Sequence, residues 1–415
     1  MTSPVQNHRQ WLLTLYQELL HQINGQKRVA NWLHQHTIKE PYYLIAVGKA
    51  AAAMAAGFRE VVGEQCKKAL VITKDNHLQP WLSPAENWEL VESSHPVPDQ
   101  RSLDAGQRLV AFVTCLPKNA QVYVLISGGA SSLVEVLRPG VQLSDLQRAN
   151  EYLLSNAFSI DQINAVRGCL SVIKAGGLLA LFHEQNIQCL LLSDVPDDRL
   201  DVIGSGMLVK PAHLDCWRSL SLPNWLMDLC ELGQQCQSGL TMTTNLNIDY
   251  ALIGTLLLAK QCIAALAQQQ GIDSFVQQDF LCGDTAQAAQ KVAAYLQVAD
   301  PGLYIWGGET NLQLPEVSGV GGRNQHFALC AAQALAGTCN ILLLAVGTDG
   351  TDGPTPYAGG LVDGLTAARG QQLGFNINEA IATANSTEYL RATKDLIETG
   401  ATGTNVMDLI LGYKW

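Results

Sequence analysis
The chain is poor in charge: Asp, Glu, Lys and Arg make up 15% of its 415 residues, and aromatic residues 7%. The net charge is -11 at pH 7, and no block of lysines or arginines stands out. That argues against a nucleic-acid surface or an anionic-membrane face, while leaving room for a small anion held by a few cations in a pocket. The 11 cysteines include no C-x-x-C pair and no Cys–His cluster. They read as buried thiols of a reducing, cytoplasmic setting, not as disulfides or a zinc site. The apolar run "ALIGTLLLAKQCIAALA" is broken by Lys260 and Gln261, so no membrane span is expected, and the polar start "MTSPVQNHRQ" lacks a signal-peptide core. Also missing are G-x-x-x-x-G-K-[ST], the protein-kinase motif set, and a G-x-G-x-x-G after a strand with an acid about twenty residues on. A nicotinamide enzyme of the usual type is thereby disfavoured.

What is there points to an α/β protein of two domains. The length exceeds one ordinary core, and 47% hydrophobic residues with a mean hydropathy of +0.08 indicate extensive burial. Trp11, Leu12, Leu15, Tyr16, Leu19, Leu20 and Ile23 recur at helical spacing, which predicts an amphipathic helix within 8–36. Then strand, glycine turn and helix alternate: "YYLIAVGKAAAAMAAGF", "ALVITK", "WELVES", "YVLISGGASS", "CLLLSDVPDD". Continuous apolar strands in such alternation predict a parallel sheet covered by helices. The rhythm is lost over 207–245, where a Gln/Ser/Thr-rich stretch (233–247) reads as a connection, and it resumes near 248 with "DYALIG", "SFVQQDF", "LYIWGGE" and "ILLLAVGTDG". We therefore expect domains at 1–235 and 248–415, with the last strand a candidate to pack back on the first.

Polar residues gather where these strands stop. Gly48-Lys49, Ser127-Gly128-Gly129, Ser193-Asp194, Gly307-Gly308-Glu309 and the tandem Gly-Thr-Asp-Gly carrying Asp349 and Asp352 all follow apolar runs. Open α/β sheets keep ligands at such carboxyl ends. Gly128 and Gly129 let backbone approach a phosphate or carboxylate, with Ser127, Ser131 and Ser132 as donors. Lys49 offers a point charge, or snorkels to the surface. Arg323, after the glycines of "SGVGGRNQH", offers a planar fork for phosphate, with Gly321, Gly322 and Asn324 beside it. Glu309, Asp349, Asp352 and Asp194 are acceptors of the kind Mg²⁺ takes, or a means of positioning a hydroxyl; the Asp-Gly pairs also suit a plain solvated turn. His95 and His326 are open between a site role and packing or capping.

Nine segments in order resemble the type 2 glycerate kinases with a C-terminal MOFRL module, whose members have long carried hydroxypyruvate reductase as a provisional label. They are "VGKAA", "SSHPVPDQRSLDAG", "ISGGASSL", "INAVRGCLSVIKAGGLLA", "SDVPDD", "WGGET", "GVGGRNQHFAL", "GTDGTDGPTPYAGG" and "TGATGTNVMDLIL". The resemblance implies a Rossmann-like N-terminal domain, a smaller MOFRL-type domain and a cleft between them. It also implies transfer of the ATP γ-phosphoryl group to the C2 hydroxyl of D-glycerate with Mg²⁺. Lys49 and Arg323 are the residues the resemblance proposes to act. His95, Gly321, Gly322 and Asn324 are further candidates to bind substrate or phosphate, and Asp194 is a second catalytic candidate, beside Glu309, Asp349 and Asp352, to hold metal or position the attacking hydroxyl. Glycerate and ATP are then the expected partners, without nucleic acid or membrane, and a homodimer is left open. An NAD(P)H-dependent hydroxypyruvate reductase and a non-catalytic hydroxy-acid or nucleotide-binding homologue are the alternatives. The chain departs from the family where Asp197-Asp198 replaces Gly-Asp, where Met207-Leu208 replaces Pro-Thr, and where Leu178 replaces an arginine. Restoring Leu178→Arg is expected to improve the apparent KM for glycerate.

Overall fold
Each apolar run of the first half becomes a strand in the computed structural model, which describes residues 4–38, 42–78, 81–156, 158–209, 216–235 and 246–415. Strands β1 (Tyr42–Val47), β2 (Cys66–Lys74), β3 (Trp88–Ser93), β4 (Gln121–Ile126), β5 (Asn186–Leu192) and β6 (Asn247–Gly254) form one sheet in the order β3-β2-β1-β4-β5-β6. The pairs β3–β2, β2–β1, β1–β4 and β4–β5 are all parallel. Successive side chains of a strand point to opposite faces. Ile45, Val47, Leu70, Ile72, Val122 and Val124 enter one core, and Leu44, Ala46, Ala69, Val71, Tyr123 and Leu125 enter another. Both faces are therefore covered, which is why these strands read as unbroken apolar runs.

A second sheet, in the order β11-β10-β9-β12-β8-β7, is built from β7 (Ser274–Leu281), β8 (Gly302–Gly308), β9 (Ile341–Gly347), β10 (Gly359–Asp363), β11 (Leu396–Ile397) and β12 (Asp408–Lys414). Here β7 and β8 are parallel, while β12 lies antiparallel between β8 and β9. Alternate residues again divide. Leu303, Ile305, Leu342, Leu344, Leu409 and Leu411 face one core, whereas Tyr304, Trp306, Leu343, Ala345 and Ile410 face the other.

The chain divides into two units, Gly25–Ile253, and Gly254–Trp415 together with the opening stretch up to Asn24. This differs from boundaries at 235 and 248 in three ways, each with a packing reason. The amphipathic segment is two helices, Pro4–Ile23 and Gly25–Gln35. The first buries Leu12, Leu15, Tyr16, Leu19 and Ile23 in the core of the second sheet, beside Ile263 and Leu303. Burial of this kind stabilises by about 1.5–3 kcal/mol per large side chain, so that helix is integral to the later unit. Second, the "DYALIG" run joins the first sheet as β6 next to β5. Third, the last strand does not return to the first sheet, because β12 completes the second between β8 and β9. Most of the Gln/Ser/Thr-rich connection lies outside the described residues. Among the described residues, no helix is long and apolar enough to cross a membrane.

Candidate active site
The first sheet reverses its build direction between β1 and β4, because β2 and β3 lie to one side and β5 to the other. Such a switch point opens a crevice at the carboxyl ends of the strands. Val47 and Ile126 are register partners there, so Gly48-Lys49 and Ser127-Gly128-Gly129 emerge side by side. Their turns are tied together by backbone: Ser127 N–H donates to Val47 O at 3.1 Å and Lys49 N–H to Gly128 O at 2.9 Å. Ser127 Oγ accepts from Ala50 N–H at 3.0 Å, so this buried hydroxyl orders the turn into the helix Ala51–Val62. A side chain at Gly48, whose φ is +136°, would place its Cβ 2.1 Å from Ser127 Oγ. At Gly129, φ +83°, a Cβ would lie 2.9 Å from His95 Cδ2 and 3.1 Å from Lys49 Cγ. Lys49, His95 and Gly129 are thus packed in one cluster.

Ser131 and Ser205 share a hydroxyl hydrogen bond at 2.5 Å, and Ser205 Oγ donates to Asn164 Oδ1 at 2.9 Å. Ser132 instead donates to Gly129 O at 3.1 Å, and Asp194, half-buried, follows the end of the adjacent strand β5. Met207, Leu208 and Leu178 are buried in one apolar core with Ile173. Segments 175–179 and 205–207 run together through Ala175 N–H to Ser205 O (3.0 Å), Gly176 N–H to Gly206 O (2.7 Å) and Leu179 N–H to Met207 O (3.1 Å). The departures at 178, 207 and 208 are therefore neighbours that pack together. An arginine at 178 would meet core, not solvent, which overturns the expected gain from Leu178→Arg.

In the second unit, helix Arg323–Ala334 begins beside the ends of β8 and β9 with its first residue held by acids. Arg323 Nε donates to Asp408 Oδ2 at 2.5 Å and Nη2 to Asp408 Oδ1 at 3.2 Å, while Nη1 pairs with Glu309 Oε1 at 2.7 Å. Burial alone would lower the guanidinium pKa, but Asp408, then Glu309 and Asp352, outweigh it and raise it, so the cation is fixed. Asp408 was missed by sequence reasoning, and its only signal was an acid opening the apolar run "DLILGY". The turn before it is held by Thr348, whose hydroxyl donates to Met407 O at 2.7 Å and accepts from Val406 N–H at 2.8 Å.

The tandem Asp-Gly splits into two unlike residues. Asp349 Oδ1 accepts from the N–H and the hydroxyl of Thr351 at 2.9 and 3.1 Å, an ordinary Asx turn. Asp352 is buried and turned inward: Oδ1 accepts from Asn324 N–H at 3.0 Å and Oδ2 from Gln325 N–H at 2.8 Å. It serves the orphan donors at the start of the helix. Burial pushes its pKa up to about 7 against the opposing pull of those two donors. Gly322 has no side chain because a Cβ there would lie 2.2 Å from Asp352 Cγ, and one at Gly321 would lie 2.2 Å from Ser386 Oγ. Asn324 adds a second contact to Asp352 at 3.4 Å, and His326 is buried, with burial lowering its pKa.

Glu309, Asp349 and Asp352 do not fit a shared magnesium site. Both Asp352 oxygens hold helix donors and Glu309 faces Arg323. Among the described residues no three His, Cys, Asp or Glu side chains gather as metal ligands.

Residues 11–220 match the domain of unknown function DUF4147 and residues 302–408 match the MOFRL family. The D-glycerate 2-kinase of Thermotoga maritima is 36% identical over 89% of this chain and 89% of its own length. The chain belongs to the type 2 glycerate kinase family. The glycerate 2-kinase of Pyrococcus horikoshii is 31% identical over 90% of this chain and 87% of its own. An Agrobacterium vitis relative with the provisional name hydroxypyruvate reductase is 33% identical, over 88% of this chain and 97% of its own. The crystal structure of a Thermotoga maritima glycerate kinase superposes with a TM-score of 0.84 at 31% identity, covering 99% of this chain and 100% of that one. That glycerate kinase thus shares the fold described above.

Proposed function
We propose that the chain catalyses ATP-dependent phosphorylation of D-glycerate at the C2 hydroxyl, giving 2-phosphoglycerate and ADP. The observation that carries this reading is the pair of strand-edge cations: Lys49 at the switch point of one sheet and Arg323, fixed by Asp408 and Glu309, in the other. Relatives named D-glycerate 2-kinase and glycerate 2-kinase support the substrate and the position of transfer.

The glycerate C2 oxygen attacks the γ-phosphorus as the bond to the β–γ bridging oxygen breaks, and ADP departs with that electron pair. Little covalent work falls to the protein, so its contribution is positioning and charge. Lys49 supplies a movable point charge on a flexible stem. Arg323 supplies a planar fork whose plane is already set. The paired turns at Gly128 and Gly129, with Ser131 and His95, hold substrate or phosphate. Asp194, half-buried just past the end of β5, is the candidate to take the hydroxyl proton. Since no three His, Cys, Asp or Glu side chains gather as metal ligands among the described residues, no step is assigned to that ion. The ten cysteines among the described residues form no disulfide, which fits a reducing cytoplasm.

The test pairs two assays on the full chain. ADP release with D-glycerate and ATP is expected, with no NAD(P)H oxidation in the presence of hydroxypyruvate. Nicotinamide turnover without ADP release would overturn the reading in favour of the reductase.

A further inference from the structure
The two carboxylates on Arg323 are unequal. Asp408 opens β12 and is the register partner of both Gly308 and Gly347, the last residues of the flanking strands. Neither glycine has a side chain to compete for the space. The Asp408 side chain is 7% exposed, and it takes two edges of the guanidinium, Nε and Nη2. Glu309 directly follows Gly308, its side chain is 43% exposed, and it pairs with the outer nitrogen Nη1. An ion pair that is nearly half solvated is weak and readily exchanged. A two-point, desolvated contact fixes geometry, because the planar fork has one matching orientation for a carboxylate.

We propose that Asp408 is a positioning residue that sets the plane of the Arg323 guanidinium, while Glu309 is a placeholder that a phosphate of the incoming nucleotide displaces from Nη1. The inference rests on the reading of Arg323 as a phosphate-contacting cation. It divides the fork into a permanently held edge and an exchangeable one. Glu309 then stands in for the ligand's charge until the ligand arrives.

Steady-state kinetics of the full chain with ATP and D-glycerate test it, using Arg323→Ala, Asp408→Asn, Glu309→Gln and the double variant Asp408→Asn/Arg323→Ala. Misplaced catalytic groups cost up to about 10²-fold, so Asp408→Asn should lose turnover of that order, mainly in kcat. It should lose little more when Arg323 is already alanine, since a positioning residue acts only through its client. Glu309→Gln should lower the KM for ATP by up to about fivefold, the worth of an exposed pair. If Asp408→Asn is insoluble, Asp408→Glu replaces it: this keeps the charge, shifts it by one methylene, and should still lower kcat. An equal loss from Asp408→Asn in both backgrounds would overturn the positioning role. A raised KM for ATP in Glu309→Gln would overturn the placeholder role. Wild-type turnover in Arg323→Ala is a separate result that removes the reading of Arg323 itself.

Discussion
The two strand-edge clusters reach a similar end by different means. In the unit 25–253 the determinants are backbone and small groups at one switch point, and the cation, Lys49, rides on a flexible stem beside Gly129 and His95. In the later unit the cation is a rigid fork, and the acids that hold it come from two neighbouring strands, one running against the other. A parallel sheet collects successive strand ends on one edge automatically. A mixed sheet places a strand beginning beside strand endings, which lets Asp408 stand next to Glu309. The first cluster is therefore built by topology, the second by pairing.

The largest expected effect probes the core behind the first cluster. Leu178→Arg would place a charge at a fully buried site among Ile173, Met207 and Leu208. An uncompensated buried charge costs about 3–5 kcal/mol, so denaturant titration should show that loss or the protein should fail to fold. A stable variant with a lower KM for glycerate would mean that position 178 reaches the substrate after all.

Next come the cations. Lys49→Ala and Arg323→Ala should each cut turnover by about 10²-fold or more, the usual loss for an electrostatic donor acting on the transition state. The comparison sharpens with Arg323→Lys, which should recover little, because a point charge cannot keep both Asp408 and a phosphate. Near-normal turnover in both alanine variants would break the parallel between the clusters.

A smaller effect belongs to the scaffold of the second cluster. Arg9 donates to Asp363 at 2.8 Å and to Asp395 at 2.6 Å, tying the opening helix to β10. Burial would raise the Asp363 carboxyl, but hydrogen bonds and charge from Arg369, with the charge of Arg9, hold it below the usual carboxylate range. Its stabilisation is therefore present above the unfolded value of about 3.9 and is lost as pH falls through the lower folded value. Arg9→Ala should cost about 2 kcal/mol near neutrality, and the gap from wild type should narrow below about pH 4. A gap unchanged down to full acid unfolding would count against the pairing.

The smallest effect separates a cap from a metal ligand. Asp352→Asn should cost about 1 kcal/mol in stability, as lost helix-start acceptors do. Turnover should fall by no more than about fivefold, the factor that such an energy represents. A rise in the magnesium requirement with unchanged stability would restore Asp352 as a ligand.

These contrasts explain what could be read in the chain beforehand. The placement of Lys49, Ser127, Gly128 and Gly129 at adjacent strand ends was legible because each motif is local and a parallel sheet gathers such ends. The position of Arg323 at a helix start was legible from the glycines before it. Its partner Asp408 lies 85 residues away, and nothing local announces that β12 enters the sheet antiparallel. Asp349 and Asp352 look alike in sequence. Only tertiary placement turns one to a local Asx turn and the other to the helix start. The opening helix had the right periodicity, yet a periodic face does not say which core it will meet.

The most direct measurement of the central claim is phosphorus NMR of the product formed by the full chain from ATP and D-glycerate. The account predicts the resonance of 2-phosphoglycerate appearing with ADP, and its loss in Lys49→Ala and Arg323→Ala. A 3-phosphoglycerate resonance, or no phosphorylated glycerate at all, would contradict it.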